Sequence, residues 1–359
     1  MIKVMLHTIL LGNTGGPNVS MKNIASSSLN NKYQFSWLHQ RKKANGLNDK
    51  ELLNDMIEQI DLEKPDIVHI SGLQIAGFYA VKACVHSKTK PTIILTVRGS
   101  STEALKFNFI KKIIMKYVVE KYTLRKSNYV YTVCHNPQSL DLVKKYSKNY
   151  IGCIYNFPPT ILNMKNNIDR KSLDVDQSTL LISVCSRMVY DKGISFILEI
   201  IRNTPNYIKF IFIGDGPYVQ YINDKFKDEL ESKKIILIGK TSNSIEYISL
   251  SDIFLFPSLH ENLPNVLLEA CSLGKPIIAT DVGGNCEIVE NNFNGLLIEP
   301  FNEKAIFKAI NFFDTNRDKI KEFGENSKLV IANKFNHTII EKEIDDLYCR
   351  CIHEKEKCI

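Results

Sequence analysis

Short apolar runs rich in β-branched residues alternate with longer amphipathic stretches along the whole chain. This alternation is typical of parallel sheets whose strands are joined by crossover helices. Helical periodicity is clearest over residues 49–60 and 74–86. We therefore predict an α/β protein. The predicted strands of the first half are residues 2–6, 33–38, 67–71, 92–97, 129–134 and 150–155.

The alternation lapses over residues 158–176, which are rich in Asn, Pro and charged residues, and then resumes. This lapse predicts a linker at residues 161–178 between an N-terminal domain, 1–160, and a C-terminal domain, 179–337. A final helix is predicted over residues 338–359. The strands predicted for the second half are residues 180–185, 209–213, 235–238, 253–256, 276–279 and 296–298.

Length and composition agree with this division, because 359 residues are about right for two domains. No apolar run approaches the roughly 20 residues that span a bilayer. We read the mature protein as starting at Met1 in the cytoplasm. Nine cysteines, an odd number without zinc-type spacing, indicate reduced and mostly buried thiols.

Charge is distributed unevenly between the two halves. Residues 1–165 hold 23 Lys and Arg against 10 Asp and Glu, a net +13, whereas the remainder holds 23 against 29, a net −6. Within the first half, residues 104–126 form a basic amphipathic segment with seven cations and one acid. Such a helix is suited to an anionic membrane surface, although its apolar face can equally cover the sheet. Nucleic acid is disfavoured, because no binding motif or aromatic platform accompanies the charge.

Candidate chemistry lies in the loops that follow the strands, where ligands of open α/β sheets bind. Arg187 and Lys192 place two cations five residues apart after the strand at 180–185, a pairing that suits a diphosphate. Pro264 suits the first position of a helix, whose first-turn amides can hold phosphate. Glu261 and Glu269 flank that turn and can accept hydrogen bonds from sugar hydroxyls. Taken singly, each feature also fits an ordinary solvated surface.

Two glycine-containing turns, GDGP at 214–217 and TDVGG at 280–284, follow other strands of the second half. Together with the Arg187 and Lys192 pair, the acids eight residues apart, the Gly-Lys-Pro at 274–276 and Glu287, they resemble the second domain of retaining nucleotide-sugar glycosyltransferases of family 4. That resemblance implies the GT-B fold, in which two Rossmann-like domains face each other across a cleft. It also implies that the C-terminal helix returns to the N-terminal domain.

The resemblance further implies roles for the matching residues. Arg187 and Lys192 are expected to bind the donor diphosphate and stabilise it as it leaves, while Glu261 contacts the transferred sugar. Glu269 is expected to bind the ribose, and the Gly239-Lys240 loop to lie beside the base. The remaining donor-binding residues expected in this half are Gly214, Ile238, Lys240, Asn262, Leu263, Pro264, Asn265 and Val266.

In the first half, the glycine cluster at 12–17 resembles the family's glycine loop, so Gly15 and Gly16 are expected near the diphosphate. The dinucleotide-binding alternative is disfavoured, because the glycine spacing does not fit and no acid ends the second strand. His69 matches a histidine common in the family and is a candidate acceptor-side residue, although a lone strand histidine is commonly structural. Arg98 stands where relatives often have histidine, and suits an anionic acceptor.

We therefore expect sugar transfer from a nucleotide diphosphate sugar to a glycan or carrier-lipid acceptor, with retention, at the inner face of a bacterial membrane during surface polysaccharide synthesis. No cofactor or metal is expected, and the acidic pair Asp174 and Asp176 in the predicted linker is interpreted as solvated. Two alternatives stay open. A nucleotide-sugar epimerase or hydrolase would act on the donor alone, and a nucleotide-binding non-enzyme would bind it without turnover.

Overall fold

The computed structural model describes residues 1–9, 16–100, 108–135, 137, 139–160 and 168–356, without the side chains of residues 355 and 356. The chain divides into two compact units. The first unit comprises Met1–Phe157 together with His337–Ile359, and the second comprises Pro158–Asn336. Each unit is built on a sheet of six described strands.

The sheet of the first unit is parallel, with the order β2-β1-β3-β4-β5-β6. The central strands β3 and β4 are almost fully buried, as expected for a parallel sheet covered on both faces, whereas the edge strand β2 alternates apolar and polar residues. They are β1 Ile2–Ile9, β2 Tyr33–Gln40, β3 Ile67–Ser71, β4 Thr92–Val97, β5 Tyr129–Thr132 and β6 Tyr150–Cys153.

Helices cover both faces of this sheet. Asp49 caps α2 by accepting a hydrogen bond from the Leu52 amide at 3.0 Å, which fixes where that helix begins. The basic segment is helical from residue 109, and its middle turn, Met115–Glu120, is a π-helix. The helices are α1 Gly16–Ser26, α2 Lys50–Glu63, α3 Ile75–His86, α4 Phe109–Ile114, α5 Lys121–Lys126, α6 Leu140–Tyr146 and, from the end of the chain, α15 His337–Glu356.

The last helix, α15, packs against the sheet of the first unit. Tyr348 is fully buried there, and its hydroxyl lies 2.7 Å from Nδ1 of His69 on β3. The other ring nitrogen of His69, Nε2, lies 2.8 Å from Thr96 Oγ1 and 3.0 Å from the Tyr131 hydroxyl. Burial, with a smaller contribution from the charge of Arg98, lowers the pKa of His69 to about 3. The imidazole is therefore a neutral, hydrogen-bonded part of the core.

The second unit repeats the architecture, with a parallel sheet in the order β12-β11-β10-β7-β8-β9. Its strands are β7 Leu180–Cys185, β8 Ile208–Ile213, β9 Ile235–Gly239, β10 Ile253–Phe256, β11 Ile277–Thr280 and β12 Gly295–Ile298. Its helices are α7 Ile194–Ile201, α8 Pro217–Lys225, α9 Lys227–Glu231, α10 Ser244–Leu250, α11 Asn265–Ser272, α12 Asn285–Ile288, α13 Glu303–Thr315 and α14 Arg317–Lys334.

The described part of the predicted linker, residues 168–178, lies in the second unit. Arg170 holds it there, with an ion pair to Asp252 at 2.7 Å and a hydrogen bond from Nε to the Leu250 carbonyl at 2.9 Å. These contacts join the segment to the residues just before β10. Within the described residues, no helix combines the length and the apolar character that crossing a bilayer requires.

Removing the Tyr348 hydroxyl tests the attachment of α15. The Tyr348→Phe change leaves His69 Nδ1 buried without that partner, which is expected to cost about 1–2 kcal/mol. Trp37, the only tryptophan in the chain, lies on β2 of the first unit, so its fluorescence during urea unfolding reports on that unit. Tyr117→Phe, at a half-exposed tyrosine of the same unit, is the control and is expected to change stability by less than about 0.5 kcal/mol. Equal effects of the two changes would contradict a stabilising contact.

Candidate active site

Four loops meet at the carboxyl edge of the second sheet, because β11, β10, β7 and β8 are consecutive neighbours in it. They are residues 281–284 after β11, 257–264 after β10, 186–193 after β7 and 214–216 after β8. The parallel arrangement directs every strand end to this edge, which is where open α/β sheets bind ligands. The sequence-predicted residues of the second half are distributed over these loops and the turn after β9.

An ion pair between Lys192 and Glu261 joins the loop after β7 to the loop after β10. Lys192 Nζ contacts Glu261 Oε1, and the two side chains are only 17% and 12% exposed. Ser258 donates a hydrogen bond from its hydroxyl to the same carboxylate oxygen at 2.7 Å. The Nζ also lies 5.6 Å from the centroid of the Phe256 ring, within cation–π distance. The cation is therefore held between the Glu261 carboxylate and the Phe256 ring, and Ser258 fixes that carboxylate.

Two glycines let these loops approach closely. Gly193 has φ +69°, and an added Cβ would lie 1.9 Å from the Pro257 carbonyl oxygen. Gly283 has φ +53°, and its added Cβ would lie 1.8 Å from the Glu261 carbonyl oxygen. Larger residues at either position would be both strained and too close to backbone. The glycines thus keep Lys192 and Glu261 within contact of each other.

Arg187 stands at the start of the loop after β7 with an exposed side chain. Its neighbour Met188 donates its amide to the Asp215 carbonyl at 2.9 Å, which ties this loop to the turn after β8. Within the described residues, the Arg187 guanidinium has no ion-pair partner. An exposed guanidinium at a strand end, beside a second, fixed cation on the same loop, is suited to receive an anion.

Helix α11 begins at Asn265, one residue later than the sequence suggests. Pro264 has φ −74° and ψ 120°, an extended conformation, so it is the residue before the first helical turn rather than the first position in it. Its carbonyl accepts a hydrogen bond from the Leu267 amide at 3.1 Å. Asn262, Leu263 and Pro264 are buried, and Asn265 and Val266 are half-buried. The predicted phosphate-binding residues therefore form one turn that follows Glu261.

Glu269 lies in the second turn of α11, close enough to Cys185 at the end of β7 for its charge to help raise the thiol's pKa. Burial raises the pKa of the Glu269 carboxyl to about 7. No hydrogen bond or ion pair to this carboxyl comes from the described residues. A buried acid without a protein partner is a frequent property of ligand-binding sites, where ligand hydroxyls supply the missing hydrogen bonds.

The turns after β8 and β9 are linked to each other. The Gly214 amide donates to the Gly239 carbonyl at 2.9 Å, which sets the two strand ends side by side. Ile238 is half-buried on β9, and Lys240 just beyond the strand is exposed. These residues extend the edge beyond β8, on the opposite side of β7 from the Glu261 loop.

The first-half predictions fare differently from one another. Gly15 lies outside the described residues, and Gly16 begins α1. Asn18 holds that start by donating to the Ile9 carbonyl at 2.6 Å and accepting from the Ile9 amide at 3.1 Å. His69 is fully buried, and both of its ring nitrogens lie within hydrogen-bond distance of side-chain hydroxyls. These contacts give it a structural role, and its acceptor-side role stays a prediction.

Arg98 occupies the end of β4. It donates from Nε to Ser71 Oγ at 2.8 Å and from Nη1 to Asn156 Oδ1 at 2.6 Å. Burial lowers the pKa of its guanidinium to about 10, and the only charge that opposes this shift is on Tyr131. Within the described residues Arg98 has no carboxylate partner.

The acidic pair of the predicted linker is not part of this edge. Asp174 has φ +54° and forms an ion pair with Lys233 at 3.6 Å. Across the described ranges, no group of three or more His, Cys, Asp or Glu side chains is arranged to hold a metal ion.

Ser258, Phe256 and Cys185 were missed by sequence reasoning. Each belongs to a strand or strand end whose apolar or small residues look like ordinary core. Lys192 and Glu269, the partners of Phe256 and Cys185, are distant in sequence, so no local pattern indicates those two contacts. Ser258 lies only three residues before its partner Glu261, but its small side chain carries no distinctive signal.

Comparisons with known proteins agree on the family and the fold. Residues 165–330 match the family model described as glycosyl transferases group 1. The chain is 27% identical over 319 residues to the capsular polysaccharide biosynthesis glycosyltransferase CapM of Staphylococcus aureus, covering 86% of this chain and 83% of CapM. It is 26% identical over 330 residues to the UDP-Gal:alpha-D-GlcNAc-diphosphoundecaprenol alpha-1,3-galactosyltransferase of Escherichia coli, covering 86% and 81%.

Solved structures of similar fold include sucrose-phosphate synthase from Thermosynechococcus elongatus, with a TM-score of 0.80 at 16% identity over 99% of this chain and 100% of that one. Anabaena HepE in complex with UDP has a TM-score of 0.76 at 15% identity, covering 98% and 100%. At these identities the likeness establishes the fold, which is GT-B.

Replacing Glu269 by glutamine tests whether the ionised Glu269 carboxylate destabilises the folded protein. Because burial raises its pKa from 4.5 to about 7, the folded wild-type protein loses stability as the pH rises from about 4.5 through 7. Glu269→Gln carries no such penalty, so it is expected to be more stable than wild type by up to about 3 kcal/mol at pH 8 and equal to it near pH 4.

Calorimetric unfolding at the two pH values measures the difference. Glu290→Gln, at an exposed glutamate of the same unit, is the matched control and is expected to show no pH-dependent gain. A Glu269→Gln protein that is no more stable than wild type at pH 8 would show that the ionised carboxylate does not destabilise the fold.

Proposed function

We propose that this chain, a nucleotide-sugar glycosyltransferase of the group 1 family, transfers its sugar to an anionic, lipid-linked acceptor with retention of anomeric configuration. The bond between the sugar's C1 and the donor diphosphate breaks, and a bond between C1 and an acceptor oxygen forms on the same face. The acceptor hydroxyl's proton passes to the departing phosphate oxygen. The task of the protein is then to stabilise the leaving diphosphate.

The fixed position of Lys192 is the observation that carries this proposal. Its contacts with Glu261 and Phe256 immobilise the ammonium before the donor arrives, so little reorganisation is needed as charge develops on the leaving group. Arg187 supplies a second cation with a planar fork suited to phosphate oxygens. The turn over residues 262–266 and the dipole of α11 add to the positive potential.

The two acids recognise the uncharged parts of the donor. The contacts that described residues make with the Glu261 carboxylate both fall on Oε1, so we assign Oε2 to a hydroxyl of the transferred sugar. Glu269 takes the ribose hydroxyls, whose hydrogen bonds favour its ionised form. We assign Gly214, Ile238 and Lys240 to binding of the base, and Gly16 stays a predicted donor-binding residue.

An acceptor carrying phosphate is supported by Arg98 and by the relatives. Arg98 is a cation without a carboxylate partner in the described chain, at a strand end of the first unit. The Escherichia coli relative is named for a diphosphoundecaprenol acceptor. A surface polysaccharide built on a carrier lipid is the setting in which such an acceptor occurs.

A membrane-facing first unit follows from that choice of acceptor. On the helical segment that starts at α4, Phe109, Tyr117 and Val118 are 78%, 50% and 51% exposed among several lysines. Apolar side chains surrounded by cations bind anionic lipid through both burial and charge. We place this segment on the inner face of the cell membrane.

Loss of the fixed cation is expected to slow transfer. Lys192→Ala removes a charge that acts on the leaving diphosphate, so kcat for sugar transfer is expected to fall about 100-fold or more. Lys308→Ala, at an exposed lysine of α13, is expected to leave kcat unchanged. The measurement is radiolabelled sugar transfer to a membrane extract, with donor-only reactions run beside it. Wild-type turnover in Lys192→Ala would remove that residue from the mechanism.

Membrane binding is tested by Phe109→Ser in a vesicle sedimentation experiment with phosphatidylglycerol-containing and neutral vesicles. Withdrawing one exposed phenylalanine from the bilayer is expected to lower the partition coefficient about ten-fold on anionic vesicles. Leu62→Ser is the matched control, because Leu62 in the same unit is equally exposed, at 78%. Equal losses in the two variants, or equal binding to neutral vesicles, would contradict the assigned surface.

A further inference from the structure

A cavity of about 780 Å³ opens at the carboxyl edge of the first sheet. Its volume is within the range of small-molecule sites, roughly 300–1,000 Å³. It is lined by residues 71–77, from the end of β3 to the start of α3, by Arg98 and Gly99 after β4, by residues 108–115 of the segment that contains α4, and by residues 9, 17 and 44–47. Apolar side chains make up most of its lining, among them Leu47, Leu73, Ile75, Ile110, Ile114 and Met115.

The charged residues that line the cavity are cations. Arg98 and Lys111 line it, and no carboxylate does among the described residues. Arg98 gives two of its donors to Ser71 and Asn156, both neutral, so no described residue compensates the charge of this half-buried guanidinium. A cation withdrawn from water is costly without a counter-ion. The bound ligand is the natural source of that negative charge.

The start of α3 also favours an anion in this cavity. Gln74 caps this twelve-residue helix without a side-chain hydrogen bond to the first turn, and residues 74–77 line the cavity. First-turn amides and the helix dipole favour an anion at this end. Arg98 and α3 therefore provide two independent attractions for one anionic group.

The apolar remainder of the cavity distinguishes between possible acceptors. A glycan would bury hydroxyls against leucine, isoleucine and methionine, and each hydroxyl left without a partner costs about 1–3 kcal/mol. A hydrocarbon chain pays no such penalty and gains from burial. Ile110 and Ile114 line the cavity and yet are 68% and 43% exposed, so the apolar lining continues outward onto α4.

We propose that this cavity binds the phosphate-proximal isoprenoid units of a prenyl diphosphate acceptor, with the diphosphate on Arg98 and the start of α3 and the chain leaving along Ile110 and Ile114. The inference rests on the proposed function and narrows it, since the enzyme then acts on an acceptor whose sugar lies close to the lipid. A long lipid exceeds the cavity, so only its first units enter and the rest continues into the bilayer.

Calorimetric titration of the full chain with farnesyl diphosphate, in the presence of saturating UDP or GDP, tests this binding without a membrane. Farnesyl diphosphate is expected to bind at least ten-fold more tightly than either inorganic pyrophosphate or farnesol. Pyrophosphate lacks the isoprenoid chain, and farnesol lacks the diphosphate. Equal affinity for pyrophosphate would overturn the role of the chain. Equal affinity for farnesol would overturn the role of Arg98.

Ile114→Asn and Ile113→Asn form a matched pair on adjacent residues with similar exposure, 43% and 40%, of which only Ile114 lines the cavity. Ile114→Asn is expected to weaken farnesyl diphosphate binding about ten-fold, and Ile113→Asn less than two-fold. Equal losses would indicate binding to the outer surface of α4 and overturn the proposal.

Arg98→Gln and Arg187→Gln separate this site from the donor site. Arg98→Gln is expected to weaken farnesyl diphosphate binding about 30-fold and to leave nucleoside diphosphate binding unchanged. Arg187→Gln is expected to weaken nucleoside diphosphate binding and to leave farnesyl diphosphate binding unchanged. Failure of the nucleotide half of this result counts against the proposed function, whereas failure of the lipid half counts against the cavity alone. Trp37 fluorescence during unfolding shows whether Arg98→Gln is folded.

Discussion

The contact between Lys192 and Glu261 is the constraint on which the rest of the site depends. It ties together loops that follow β7 and β10, and it lies where the glycines at 193 and 283 permit backbone to approach backbone within contact distance. The ammonium group of Lys192 therefore keeps one position, which is set before the donor binds. This rigidity is what a reaction limited by leaving-group departure requires. The parallel sheet supplies it, because all of its strand ends meet at one edge.

Each unit also contains a largely desolvated ionisable group that has no oppositely charged partner in the described part of the chain. In the second unit it is Glu269, whose pKa burial raises to about 7, and in the first it is Arg98, whose pKa burial lowers to about 10. Structural acids and bases are ordinarily paired when buried. The two exceptions have opposite signs, and they lie where a neutral ribose and an anionic phosphate are proposed to bind. The stability lost at these positions is consistent with binding sites that the ligands complete.

Much of the fold could be predicted from the sequence, because most of its strands are short apolar runs between polar turns. The strands at 67–71, 92–97, 180–185 and 253–256 have the predicted bounds, and the two-sheet α/β architecture is confirmed. The match of residues 165–330 to the group 1 glycosyl transferase model agrees with the predicted family. Motifs located the loops of the second half because cations, acids and glycines recur there at fixed spacing.

Properties that depend on distant neighbours could not be predicted. His69 resembles a functional strand histidine until Tyr348, 279 residues later, covers it. Pro264 precedes its helix instead of beginning it, since its backbone is extended. The apolar cavity has no sequence motif, because its described lining comes from six separate stretches between residues 9 and 115. Local spacing identifies which residues have the chemistry to bind a ligand. Packing between distant segments decides which of them can contact it.

The claim that the second unit binds a diphosphate is tested most directly by comparing the affinities of a nucleoside diphosphate and its monophosphate, UDP with UMP or GDP with GMP, by calorimetric titration of the full chain. Two cations and a helix end acting on the second phosphate predict that the diphosphate binds about 100-fold more tightly. Equal affinities for the diphosphate and the monophosphate would show that the site does not recognise the leaving group.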